Sequence, residues 1–182
     1  MLQITVPKNE LWVPVISEFI YIKEQTLQLE HSLVSISKWE SKWRKPFNST
    51  DVKTREENID YIRCMTLTQN VDPYVYYCLT EQNKKDIEEY MKSPMTATVI
   101  KRQEGASGKS NEIVTSEIIY YWMISLGIPR EFEKWHINRL MTLIEVCSIK
   151  NQPAKKMSQR EIYSQNAALN AKRRGMSRMR GR

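Results

Sequence analysis

The sequence predicts a mainly α (α+β) fold: a compact helical domain with a small β-sheet or hairpin and a basic C-terminal helical arm. Three observations carry this. Several segments place apolar residues at helical spacing between Ser/Thr caps and prolines. Short alternating runs near the N-terminus read as strands. Positive charge is concentrated at one end: residues 151–182 hold nine Lys and Arg against the single Glu161, a net of +8 where the whole chain carries +7, so residues 1–150 carry −1 and are close to neutral. The expected division is therefore a helical α+β body over 1–150 and a basic arm over 151–182.

Taken in order, Leu2 to Val6 alternates as a strand, and Glu18 to Ile22 is a second candidate beyond a segment containing Pro14. Ser32 can cap a helix to about Lys45, along which Leu33, Ile36, Trp39 and Trp43 recur on one face, and Pro46 stops it. A helix from about Thr54 to Leu67 is acidic in its first turn, at Glu56 and Glu57, as the helix dipole favours. Asp72-Pro73 opens a short helix, and Thr80 to Met91 forms another. Met95 to Lys101 and Glu112 to Thr115 read as two strands joined by a Gly-rich loop over 104–111. Glu117 to Leu126, apolar on every side, is expected to be the central buried helix, ended by Gly127. His136 to Ile149 carries an apolar stripe of Ile137, Leu140, Met141, Ile144 and Cys147. After Pro153, the last helix runs over about 158–174, with a Ser158/Glu161 capping box and Gly175 at its end, and the remainder is expected to be disordered.

The 182 residues are 41% hydrophobic and 27% charged, ordinary for a globular chain. The longest apolar run, 118–124, is far below the roughly 18 residues of a membrane span, and the N-terminus does not read as a signal peptide. Cys64, Cys78 and Cys147 are odd in number and widely spaced, which suits buried, reduced thiols inside a cell.

Residues 105–110 end like a phosphate-binding loop. The position five before Gly108 is Gln103 rather than Gly, and a strand rather than a helix is expected to follow, so the run reads as a hairpin loop. His31 and His136, the two histidines, lie far apart in sequence with no Cys nearby, which argues against a metal site. Cys147 and His136 on one helix would stand about 16 Å apart along its axis, too far to share a proton, so His136 reads as a polar contact at a helix start. Glu56, Glu57 and Asp60 read as a solvated helix start. No catalytic, cofactor or metal residue is assigned, and the protein is not expected to be an enzyme.

Binding residues are a different matter. Trp39 and Trp43 share a helix face and suit either core packing or an aromatic contact strip. In the arm, Ile162 and Leu169 share a narrow apolar stripe flanked by Tyr163, and alanines supply helix propensity but little to bury. Lys172, Arg173, Arg174, Arg178 and Arg180 add positive charge. An arm of this kind, about 25 Å long as a helix, is expected to order on a partner.

Four runs together carry a family resemblance: KEQTLQLEHSLVSISKWESKW at 23–43, MTLTQNVDP at 65–73, EIIYYWM at 117–123 and KKMS at 155–158. The chain resembles tail-module proteins of phages with long non-contractile tails that infect Gram-positive bacteria, and among these it is similar to tail assembly chaperones. The resemblance implies a non-catalytic protein of the host cytoplasm. Such a chaperone coats the tape measure protein, keeps it soluble, attracts tail tube subunits that displace it, and is absent from the finished virion. The alternatives are a nucleic-acid-binding protein acting through the basic tail and a structural neck or tail component of the virion.

Overall fold

The structure, a computed structural model, describes residues 1–13, 17–100, 113–151, 160, 163–170 and 172. The chain divides into two units, Met1–Lys150 and Asn151–Arg182. The first is an α+β body, so the expected fold class holds.

Four strands open the body: β1 (Leu2–Val6), β2 (Asn9–Val13), β3 (Glu18–Ile22) and β4 (Gln25–Leu29). The sequence predicts only β1 and β3. Antiparallel pairing joins β1 to β4 and β2 to β3, and Val6↔Gln25 and Asn9↔Ile22 continue one register across the break. The strands thus form a single two-stranded ribbon, interrupted at Pro7-Lys8 and, opposite, at Lys23-Glu24. Pro7 has no N–H for the ladder, which accounts for a break there.

The break also changes the pleat. In β1 the even-numbered Ile4 and Val6 turn inward, whereas in β2 the odd-numbered Leu11 and Val13 do. On the facing strands the inward set switches in step, from odd-numbered Leu27 and Leu29 to even-numbered Ile20 and Ile22. A shift of phase exchanges the two faces of a strand. Both halves can therefore present apolar residues to the core despite the interruption.

Among the described residues five helices complete the body: α1 (Leu33–Trp43), α2 (Arg55–Met65), α3 (Glu81–Lys92), α4 (Ser116–Ser125) and α5 (Ile137–Asn151), with 3-10 turns at Val75–Tyr77 and Arg130–Lys134. Ser32, Thr54 and Thr80 cap the first three, each side chain accepting a backbone N–H of the first turn. At α4 the cap is supplied from elsewhere: Glu40 accepts the Ser116 N–H at 2.8 Å and the Phe47 N–H at 2.7 Å. The other end of α4 is a Schellman closure, in which Gly127 takes a φ of +66° and the Ile128 N–H bonds the Met123 carbonyl at 2.8 Å.

Helices α1 and α2 are stapled. Trp39 donates its indole N–H to the Glu57 carbonyl at 2.9 Å, and Trp43 donates to the Asp60 carboxylate at 2.9 Å. Lys45 reaches the Glu57 carboxylate at 2.7 Å, and Lys42 pairs with Asp60. Glu57 and Asp60 are buried, so they are not the solvated helix start expected of them. The Lys45 hydrogen bond holds the Glu57 carboxyl below its usual range.

Other expectations need correction. Residues 95–100 and 113–115 form no strand. Val99 and Ile113 are exposed, so an alternating pattern there has no layer to pack on. Lys101, Glu112 and the loop between them lie outside the described residues. The Asp72-Pro73 element is a 3-10 turn, entered through an Asp72 side chain that accepts the Tyr74 N–H at 2.9 Å. Helix α4 is not central: Ser116, Ile119 and Met123 are buried, while Tyr121 and Ile124 face solvent. Cys78 is buried, but Cys64 and Cys147 are only half-buried.

In the second unit, residues 163–170 are helical and exposed, as are Arg160 and Lys172. Pro153, Ser158, Glu161, Gly175 and the expected disordered end lie outside the described residues.

Candidate interaction site

The β2–β3 half of the ribbon turns Glu10 and Trp12, and opposite them Tyr21 and Phe19, away from the core. Trp12 is 47% exposed, Phe19 68% and Tyr21 58%. Direct cross-strand pairing brings the Trp12 and Phe19 rings to 4.9 Å between centroids. That contact holds each ring in place without covering it. The β1–β4 half carries Gln3, Thr5, Thr26 and Gln28 on its outer face, so one ribbon is polar on its first half and aromatic on its second. Three exposed aromatic residues on a short hairpin form a surface of the composition found at the centre of protein interfaces.

A second feature is an open cleft of about 990 Å³ between α2 and α3, floored by Phe47, Tyr61, Tyr76 and Leu79 and rimmed by Lys53, Arg55 and Lys84. Lys53 lies 4.5 Å from the Phe47 ring centroid and donates to the Phe47 carbonyl at 2.7 Å, which fixes the floor. Burial pushes the Tyr61 and Tyr76 hydroxyls up, keeping both protonated.

The two histidines meet inside the body. Their rings are 5.1 Å apart, and an isolated bridge pairs Ser32 with His136. His136 Nε2–H donates to the Tyr90 carbonyl at 3.0 Å, leaving Nδ1 to accept the Asn138 N–H at 3.3 Å. Those two bonds define a neutral tautomer, and His136 is the helix-start contact read from the sequence. His31 shares a 2.5 Å hydrogen bond with Tyr61. Burial, and then the neighbouring His136, push the His31 pKa down to about 4. Among the described residues no group of three or more His, Cys, Asp or Glu could hold a metal ion, and no helix is long and apolar enough to cross a membrane.

No protein-family model, no curated protein and no solved structure matches the chain.

The residues singled out from the sequence are scattered. Trp39 is 1% exposed and belongs to the core. It has no surface to offer a partner, because its ring packs edge-on against Phe47 and its N–H is bound to Glu57. Trp43 is half-buried and tied to Asp60. Tyr163, Leu169 and Lys172 are exposed, whereas Ile162, Arg173, Arg174, Arg178 and Arg180 lie outside the described residues, as do residues 105–110. Sequence reasoning missed Trp12, Phe19 and Tyr21. The alternation of Glu10 to Val13 against Glu18 to Ile22, with four residues between, is the signal that locates them.

Proposed function

We propose that this protein is a phage tail assembly chaperone. It binds the tape measure protein in the host cytoplasm, helps recruit tail tube subunits and catalyses no reaction. The observation that carries the proposal is the aromatic face of Trp12, Phe19 and Tyr21, held on a hairpin and left uncovered by the body. A chaperone of a long helical client needs adhesive surface that can be given up again, and exposed aromatic rings on a small rigid platform supply contact area at low entropic cost. The exposed helical segment 163–170 adds the exposed side chains of Tyr163 and Leu169 to the positive charge of the arm. The sequence resemblance to tail-module proteins supplies the client.

The test is co-expression with the tape measure protein encoded in the same phage. The full chain should keep that protein soluble, co-purify with it and be missing from purified virions. Trp12→Ser with Phe19→Ser should abolish co-purification without unfolding the body. If the full chain ignores the tape measure protein and shifts random DNA or RNA at moderate salt, the basic arm is a nucleic-acid tether instead. Stoichiometric recovery from intact particles would identify a structural component.

A further inference from the structure

We infer that the cleft between α2 and α3 is a receptor groove for a short amphipathic helix of acidic character, supplied by a partner protein. Its walls make the case. From α2 the cleft walls are Arg55, Asn58, Ile59 and Ile62, with Tyr61 at the floor, and from α3 they are Lys84, Ile87, Glu88 and Met91. Both sets follow the spacing i, i+3, i+4, i+7, so each wall is a two-turn stripe of one helix face, about 10 Å long. Two such stripes with a trough between them offer the ridges that a third helix packs against. Phe47, Tyr61, Tyr76 and Leu79 make up the trough's floor between the two helices.

The chemistry of the groove selects the occupant. Its floor is aromatic and aliphatic, which suits an apolar helix stripe with side chains at matching intervals. Among the described residues its rim carries Lys53, Arg55 and Lys84 against Glu88. Glu88 pairs with Lys92 at 2.5 Å and Lys84 with Glu81 at 2.6 Å, both exposed pairs that contribute little, exchange readily and cancel in the charge balance. The rim is therefore net positive, and carboxylates flanking the incoming stripe are favoured over ammonium groups. A basic segment carries the same sign as the rim and is disfavoured. At about 990 Å³ the space stands at the upper end for a small ligand, and its two helical walls, exposed at Arg55, Asn58, Lys84 and Glu88 above the buried Ile59 and Ile87, suit a chain segment better.

The class of occupant follows from the partner-binding reading above, yet the two fail separately. The probe is a synthetic 16-residue helical peptide with Leu at i, i+3, i+4 and i+7, flanked by Glu, beside a control with Lys for every Glu. Binding to the full-length protein is read by fluorescence anisotropy, with folding checked by circular dichroism. The acidic peptide should bind with a micromolar Kd, and the Lys version about tenfold more weakly or not at all. Arg55→Glu with Lys84→Glu should weaken the acidic peptide about tenfold and reverse the preference. Asn58→Trp, which fills the groove from an exposed position, should weaken it similarly. Equal affinity for both peptides, no binding at millimolar concentration, or full affinity in folded Asn58→Trp would each overturn the assignment. Because the aromatic hairpin is untouched by these variants, tape measure co-purification lost by Trp12→Ser/Phe19→Ser leaves this result standing, and the reverse also holds.

Discussion

The Glu40 carboxylate and the Ser116 backbone N–H lie 2.8 Å apart and join two elements 76 positions apart in the sequence. Glu40 is buried near the end of α1, and its other oxygen holds the Phe47 N–H. One side chain thus caps the N-terminus of α4, whose own Thr115 makes no side-chain cap, and also fixes the turn that follows α1. A carboxylate at a helix N-terminus is favoured both as an acceptor and by the helix dipole.

Glu40→Ala should therefore cost about 3 kcal/mol in urea denaturation, since two buried donors lose their partner. Glu40→Gln should fall between the two, because one of its two polar ends turns from acceptor to donor. A loss below about 0.5 kcal/mol for Glu40→Ala would mean that water replaces both bonds at little cost.

The buried histidines make stability depend on pH. His31 has a native pKa of about 4 against about 6.5 unfolded, and burial lowers that of His136 as well. A lowered pKa means that the unfolded chain takes up protons which the native state refuses. The stabilisation is complete above pH 6.5 and declines as pH falls toward 4, by roughly 3 kcal/mol for His31. Urea midpoints measured from pH 7.5 to 4.5 should fall steadily, and His31→Asn should flatten the slope. An unchanged slope in that variant would exclude His31 as its source.

The tryptophans should separate by location. Trp39→Phe should destabilise by about 2 kcal/mol, as it leaves a smaller ring and removes the indole donor that ties α1 to the Glu57 carbonyl. Trp12→Phe should change stability by less than about 0.5 kcal/mol, because an exposed ring contributes little to the core. Bound tape measure protein should alter the emission of Trp12 and not that of Trp39, read in single-tryptophan variants.

Limited trypsin digestion should cut first at exposed Arg160 and Lys172, leaving a resistant product that ends near Lys150. Protection of Arg160 and Lys172 equal to that of the body would show that the arm is covered.

Much of the body was legible because its helices are locally encoded. Ser32, Thr54 and Thr80 mark their starts, and the stripe of Ile137, Leu140 and Ile144 needs no tertiary knowledge. Where the sequence misled, the deciding interaction was remote. The apolar run in α4 suggested burial on all sides, but a helix held by Glu40 at the edge of the body buries one face only. Glu57 and Asp60 look like surface acids until Lys42 and Trp43 of α1, and Lys45 just beyond it, are packed against them. The strands β2 and β4 are defined by register with β3 and β1, and the break at Pro7 hides that continuity. The aromatic site failed to appear for the same reason, since Trp12 and Phe19 become neighbours only once the ribbon is paired. The cleft depends on how α2 and α3 stand relative to each other, which no local pattern reveals.

The contact between His31 and His136 also sets a timetable for synthesis. The bridge at Ser32 and His136, with the Ile137 N–H bonded to the His31 carbonyl at 2.7 Å, closes a loop of about a hundred residues. At roughly 5–20 residues per second, the ribosome needs about 5 to 20 s to deliver the second partner after the first. Through that interval α2 and α3 can already pack on α1 and β1, while α5 is still missing from the core and the aromatic hairpin is complete. The surface proposed for the client can therefore exist on the nascent chain before the body that carries it has closed.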